Sequence, residues 1–281
     1  MSGQGEAAPD SGIARSRRAN MTSVPKSVSN AQIEAIPGWF QEYDVDMFRL
    51  LLERTAEAGG DLAELGAYLG KSAVLIGSSL APDERFTVID LFGSEAGEEA
   101  NRAENADQYL GLTREDFEQN YRRVHGELPD VVVGLSASVV DHARRGTHRF
   151  VHVDAGHLYD NVVEDIDAAR TLLKPDGVVV FDDYRTEHTP GVSAAVWRST
   201  AEGLRPFAVT PVKLYATFGD PQPWFDAVQE WVGASRWKHE VQSVAGNDIV
   251  RLWWEAERTT ALPLRNGLRE RAVRKLRRLR G

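Results

Sequence analysis

"RFVHVDAGHLYDNVVEDIDAARTLLKPDGVVVFDDY", Arg149 to Tyr184, reads as one strand–helix–strand unit. Its first apolar run, 149–154, closes on Asp154, and its second closes on Asp182 and Asp183. A helix is expected over about 159–173, and "KPDG" turns the chain into the second strand. Asp154 and Asp182 lie 28 residues apart, the length of one crossover between parallel strands. The two strands are therefore expected to be neighbours, and three carboxylates to meet at one sheet edge. Like charges so close repel, and taking them out of water is costly. A divalent cation bound by Asp154, Asp182 and Asp183 would resolve the conflict; the other reading is separate solvated loop acids. Oxygen ligands in a chain without cysteine suit Mg²⁺, Mn²⁺ or Ca²⁺ rather than zinc.

Outward from this unit the alternation continues. "DLAELG" (61–66), "FTVIDLF" (86–92) and "DVVVG" (130–134) read as strands before it, "VKLYATF" (212–218) and "NDIVRLWW" (247–254) as strands after it. Helices are expected from Met47 to the Gly59-Gly60 stop, over "GKSAVLIGSSL", over 136–145, over about 191–203 and in "WFDAVQEWV". Strands alternating with helices imply an α/β fold with a mostly parallel sheet, here of seven strands, with the last two as an antiparallel edge pair. Residues 94–127 read as an insertion or a long crossover. Residues 1–30, rich in Gly, Ser, Ala and Arg, are expected to be disordered. That leaves 31–263 as one domain and 264–281 as a basic amphipathic tail. The segment 36–44, "IPGWFQEYD", is a candidate lid.

The chain has 281 residues, 42% of them hydrophobic and 27% charged, and no apolar run near the ~18 residues of a membrane span. The absence of cysteine excludes disulfides and thiolate chemistry and fits a cytoplasmic protein. The tail carries seven Arg and one Lys against one Glu, +7, so a chain of net charge −9 has a body at −16. Such a body is a poor partner for nucleic acid, whose binding requires neutralised phosphates. The tail could pack on the body, or meet a membrane surface or an acidic partner.

In an open α/β sheet, ligands bind at the carboxyl ends of the strands. "AELGAYLGKSA" ends a strand at Glu64 and turns through Gly66 and Gly70 into a helix. The glycines let a ligand approach the backbone, although a tight strand–helix turn alone would explain them. Asp90 ends the second strand, where an acid can hold ribose hydroxyls. Gly134 and Ser136 end the third, within reach of an adenine.

Taken together, "AELGAYLGKSAVLIG", "VDAGHLYD" and "VVVFDDY" resemble the class I S-adenosylmethionine-dependent O-methyltransferases of the metal-dependent kind, over roughly residues 60–200. The first motif is similar to that of catechol O-methyltransferases. The others look more like the bacterial sugar O-methyltransferases related to macrocin O-methyltransferase. The resemblance implies a Rossmann-like fold, S-adenosylmethionine at Glu64, Gly66, Tyr68, Ser72, Asp90 and Ser136, and Mg²⁺ or Mn²⁺ at Asp154, Asp182 and Asp183. His157 stands where catechol enzymes place a catalytic lysine, and is the candidate base. Macrocin-type enzymes place an acid two residues after the first metal aspartate, and here that position is Gly156. The expected reaction is methylation of a sugar hydroxyl on a small molecule or oligosaccharide, with catechol methylation as the alternative and a related hydroxylase as a third reading. A homodimer is expected.

Overall fold

The structure, a computed structural model, describes residues 27–94 and 112–254. The domain starts earlier than residue 31: Val28 is buried, and Ser29 caps the first helix, α1 (Asn30–Glu34), in a capping box with Gln32. The rest of the amino-terminal segment and the 264–281 tail lie outside the described residues. After α1 come α2 (Glu42–Ala56), β1 (Asp61–Leu65), α3 (Lys71–Gly77) and β2 (Phe86–Asp90). Then follow α4 (Arg114–His125), β3 (Asp130–Val133), β4 (His148–Val153), α5 (Tyr159–Leu172) and β5 (Leu173–Phe181). The chain continues with α6 (Pro190–Ser199), β6 (Arg205–Val209), β7 (Leu214–Thr217), α7 (Gln222–Gly233), β8 (Lys238–Val244) and β9 (Asn247–Trp253). The helix expected over 136–145 is a 3-10 turn, Ser136–Asp141. The described part of 94–127 is mainly α4, a crossover helix between β2 and β3.

One sheet runs in the order β3-β2-β1-β4-β5-β7-β6-β9-β8. Strands β1 to β5 pair in parallel, and β7 runs antiparallel between β5 and β6. The α/β class and the mostly parallel sheet are as expected, but the sheet has nine strands, not seven. The extra strands are β6 and β8. Pro206 in "RPFAV" argues against a strand by its missing donor. β8, "KHEVQSV", is exposed at six of seven positions, so no buried face stamps an alternation on it. Nor do the last two expected strands form the edge pair: β9 lies parallel to β6, and the antiparallel edge pair is β8–β9.

Side chains alternate across this sheet as the period of two requires. Leu62, Val88, Phe150, Val178, Val180 and Tyr215 face α2, α3, α4 and α7. Ala63, Leu65, Ile89, Val151, Val179 and Phe181 face α5 and α6. With both faces covered, β1 and β4 are buried at every position. No helix among the described residues is long and apolar enough to cross a membrane.

The end of the sheet away from the aspartates is held by Arg149, 1% exposed on β4. Its Nη1 donates to Leu52 O (3.1 Å) and Thr55 Oγ1 (2.9 Å), and its Nη2 to Ser79 O (2.8 Å) and Glu84 Oε2 (2.9 Å). Its Nε reaches Gly60 O at 3.1 Å and Glu84 Oε1 at 3.0 Å. One guanidinium thus joins the end of α2, the entry to β1 and the α3–β2 connection. Arg149→Met strands the Glu84 carboxylate and is expected to destabilise by about 3–5 kcal/mol, about a 10 °C fall in Tm. Thermal denaturation followed by circular dichroism measures this, and a fall under about 3 °C would refute it.

Candidate active site

The strand order reverses between β1 and β4, and their carboxyl ends open on a cavity of about 610 Å³. The floor is set by a backbone contact. Asp154 N donates to Leu65 O at 2.7 Å, and a Cβ on Gly66 would stand 1.9 Å from Asp154 O. Gly66 also has φ 81°, and its N–H donates to Ile89 O at 2.8 Å. The glycine is required twice, by conformation and by the approach of β4.

The turn that follows is held by Asp90. Its Oδ2 accepts from Ala67 N (2.6 Å) and Tyr68 N (2.9 Å), and its Oδ1 from Phe92 N (2.7 Å). These three bonds fix Tyr68 at φ 48°, a conformation unusual outside glycine. A carboxylate has about four acceptor positions, so Asp90, which lines the cavity, keeps one for a ligand.

Gly66, Tyr68, Ser72, Asp90 and Ser136 all line the cavity, as do Asp154, His157, Asp182 and Asp183. Glu64 does not. Its position in the alternation of β1 puts it on the Leu62 face, fully buried below the wall. There Ser72 Oγ donates to its Oε1 at 2.5 Å, and burial pushes its carboxyl up to about 8 while Ser72 pulls it back. It supports a wall residue rather than forming the wall. The 36–44 segment contributes Gly38, Trp39, Phe40, Gln41 and Asp44, and Trp39 is 76% exposed with its ring 5.8 Å from that of Tyr68.

The three aspartates converge on the cavity but not on one point. Asp154, His157 and Asp183 each place a ligand atom within 4.8 Å of the others, and so do His152, Asp154 and Asp182. Asp154 is common to both sets. Asp183 sits at φ 52°, with Oδ2 3.3 Å from His157 Nε2. Asp182 is drawn elsewhere: its Oδ1 accepts Asp183 N–H at 2.8 Å, and its Oδ2 pairs with Lys213. Burial, then the Asp182 charge, hold the Asp154 carboxyl well above the usual range. Asp183 is also opposed by burial, but His157, Lys213 and His188 outweigh it and keep its carboxyl below that range.

Two wall residues were not read from the sequence. Lys213 is 2% exposed; continuing the β5–β7 register from Phe181↔Leu214 sets it opposite Asp182. Asp44, fully buried on α2, accepts from Tyr215 Oη at 2.7 Å, and burial pushes its carboxyl up to about 7. Lys213 sits in a run of mostly apolar neighbours, and Asp44 beside Glu42 and Asp46, where one more acid carries no signal. The one available signal was that "VKLYATF" alternates, placing Lys213 in phase with buried Tyr215.

Residues 63–184 match the model of a methyltransferase domain, a span from β1 to just past β5 that contains Asp90, Asp154, Asp182 and Asp183. Among solved structures, the O-methyltransferase NovP is 20% identical, with 63% of this chain and 79% of that one covered and a TM-score of 0.52. An O-methyltransferase from Bacillus cereus in complex with SAH is 13% identical, covering 68% and 92%, with a TM-score of 0.47. CalS11, a TDP-rhamnose 3'-O-methyltransferase in calicheamicin biosynthesis, is 16% identical, covering 64% and 82%, at 0.45. No curated protein matches the chain. Residues 63–184 thus match a methyltransferase domain, on a fold similar to that of the O-methyltransferase NovP.

Gly66→Ala is expected to destabilise by about 2 kcal/mol more than Gly126→Ala, which meets only the left-handed strain of φ 86° with nothing within 4 Å. Urea denaturation of the two variants measures the difference, and equal losses would count against the close approach. A second expectation concerns Asp165 on α5, fully buried, where burial pushes the carboxyl up to about 7 against the pull of Ser136. An unfolded aspartate releases its proton near ~3.9, so between about pH 4 and 7 the folded chain holds a proton the unfolded chain has lost. Stability from this group is greatest at the low end and falls as pH rises through that window. Asp165→Asn is expected to flatten the fall, measured as the urea midpoint at several pH values; parallel curves would refute it.

Proposed function

We propose that this chain transfers the methyl group of S-adenosylmethionine to a hydroxyl of a sugar, on a small-molecule glycoside or an oligosaccharide, with the help of Mg²⁺ or Mn²⁺. The observation that carries the reading is one cavity lined both by the Gly66–Tyr68 turn and Asp90 and by Asp154, His157 and Asp183.

The residues present fit a divalent cation. With all three ionised, as cation ligands would be, Asp154, Asp182 and Asp183 face one buried ammonium, Lys213, which leaves two negative charges for a cation to balance. Asp154 and Asp183, joined by Asp182 as it turns from Lys213, would hold the cation with hard oxygen donors, which suit Mg²⁺ or Mn²⁺. When bound, the cation lowers the pKa of a chelated hydroxyl, and the cofactor supplies an electrophilic methyl. Asp90 keeps one acceptor position for a ribose hydroxyl, and Gly66 and Ser72 shape the wall beside it. His157 is the base: with Nε2–H donated to Asp183, its Nδ1 accepts the hydroxyl proton. Asp183 thereby sets the tautomer. Trp39, broad and exposed at the cavity, suits the apolar face of a pyranose. The sugar acceptor follows the resemblance of the strand-four and strand-five motifs. A cytoplasmic homodimer belongs to the same proposal.

Labelled methyl transfer to glycoside and catechol acceptors, with and without EDTA, tests this. Transfer to a sugar hydroxyl that EDTA abolishes and Mn²⁺ restores is expected. His157→Gln is expected to lower kcat by about 10²-fold or more with Mn²⁺ still bound. Transfer indifferent to EDTA would remove the metal from the proposal, and transfer to catechol alone would replace the acceptor.

A further inference from the structure

A chain of hydrogen-bonded side chains joins Ser72 to Asp182 and Lys213 through Glu64 and His152, which the proposed chemistry does not use. Ser72 Oγ donates to Glu64 Oε1 at 2.5 Å, and His152 Nδ1 lies 2.8 Å from the same oxygen. His152 Nε2 is 3.4 Å from Lys213 Nζ, and Lys213 donates to Asp182 Oδ2. The polarity is unambiguous. A lysine ammonium has donors only, so Nε2 of His152 must accept and Nδ1 must carry the hydrogen that goes to Glu64. The sheet sets the order: Glu64 and His152 are register partners on β1 and β4, and Lys213 falls opposite Asp182 where β7 meets β5.

The path is dry. Glu64 and His152 are fully buried, Lys213 is 2% exposed and Asp182 9%. The edge of Phe48 meets the His152 ring at 5.0 Å, and the rings of Phe40 and Phe48 lie 5.5 and 5.9 Å from Lys213 Nζ. Among the described residues Glu64 Oε2 has no hydrogen-bond partner, while Ser72 and His152 both meet Oε1. The two ends of the chain, Ser72 and Asp182, both line the cavity, one on the cofactor side and one among the acids.

We propose that His152 is a positioning residue that couples cofactor binding to cation binding through Ser72–Glu64–His152–Lys213–Asp182. The inference rests on the reading that S-adenosylmethionine and a divalent cation occupy the two ends. As Asp182 turns toward a cation, Lys213 loses part of its hold on Oδ2 and leans on His152 Nε2. That polarises the imidazole, tightens Nδ1–H on Glu64, and seats Ser72 more firmly in the cofactor wall. Cation and cofactor therefore strengthen each other's binding, and the effect is reciprocal.

Calorimetric titration of the full chain with S-adenosylhomocysteine, in EDTA and in Mn²⁺, reads this coupling without turnover. In the unaltered protein, affinity is expected to rise about fivefold with Mn²⁺. His152→Phe is expected to lose the rise, and His152→Gln, whose amide can both accept from Lys213 and donate to Glu64, to keep most of it. Ser72→Ala, at the cavity wall, gives a second break in the chain should His152→Phe fold poorly. If the unaltered protein binds S-adenosylhomocysteine equally with and without Mn²⁺, or if either break leaves the rise intact, the coupling is overturned while the proposed function stands. Failure to bind S-adenosylhomocysteine at all would overturn both.

Discussion

The site depends on how closely the ends of β1 and β4 approach. Asp154 N bonds to Leu65 O at 2.7 Å, and the carbonyl of Asp154 occupies the space where any residue but glycine at 66 would place a Cβ. From that contact the other features follow in order. Gly66 turns with positive φ, and Ala67 and Tyr68 then present their N–H groups to Asp90 on β2. The cavity lies at these strand ends, lined by the Gly66–Tyr68 turn and by the acids. Were the strands one side chain further apart, Glu64 and His152 could not meet beneath it.

The acidic end shows how a sheet accommodates charge it cannot remove. Asp154, Asp182 and Asp183 follow directly on strands whose residues are buried. Lys213 answers one of the three charges from an antiparallel neighbour, and its own burial is tolerable because carboxylates and aromatic faces surround it. His157 leans on Asp183. The cluster is therefore partly compensated by the protein's own cation and imidazole.

Much of this was legible in the sequence because it is local. The 28-residue spacing of Asp154 and Asp182 encodes a parallel neighbour, and the strands do pair, Val153 with Phe181. Gly66, Asp90 and Ser136 were read as strand-end residues, and all three line the cavity. What was not legible depends on pairing across the chain. Lys213 matters only because β7 inserts beside β5, and nothing within "VKLYATF" states which strand it will join. His152 reads as a polar interruption of a strand until its partner on β1 is known. Glu64 was assigned to the wall by motif position, but alternation along β1 puts it below. β8 escaped notice because its side chains face water, leaving no pattern to read.

Arg149 lies at the other end of the same strands, and the two ends have different histories open to them. The guanidinium ties α2, β1 and the α3–β2 connection with bonds that mostly end on backbone oxygens and on one carboxylate. Those attachments are indifferent to what the loops at the carboxyl ends contain. The segments after β3, β4 and β5 can therefore exchange residues, lengthen or change partners while the frame keeps its spacing. Loops at the carboxyl ends can thus change what the cavity admits while the spacing of the strands is held from their far end.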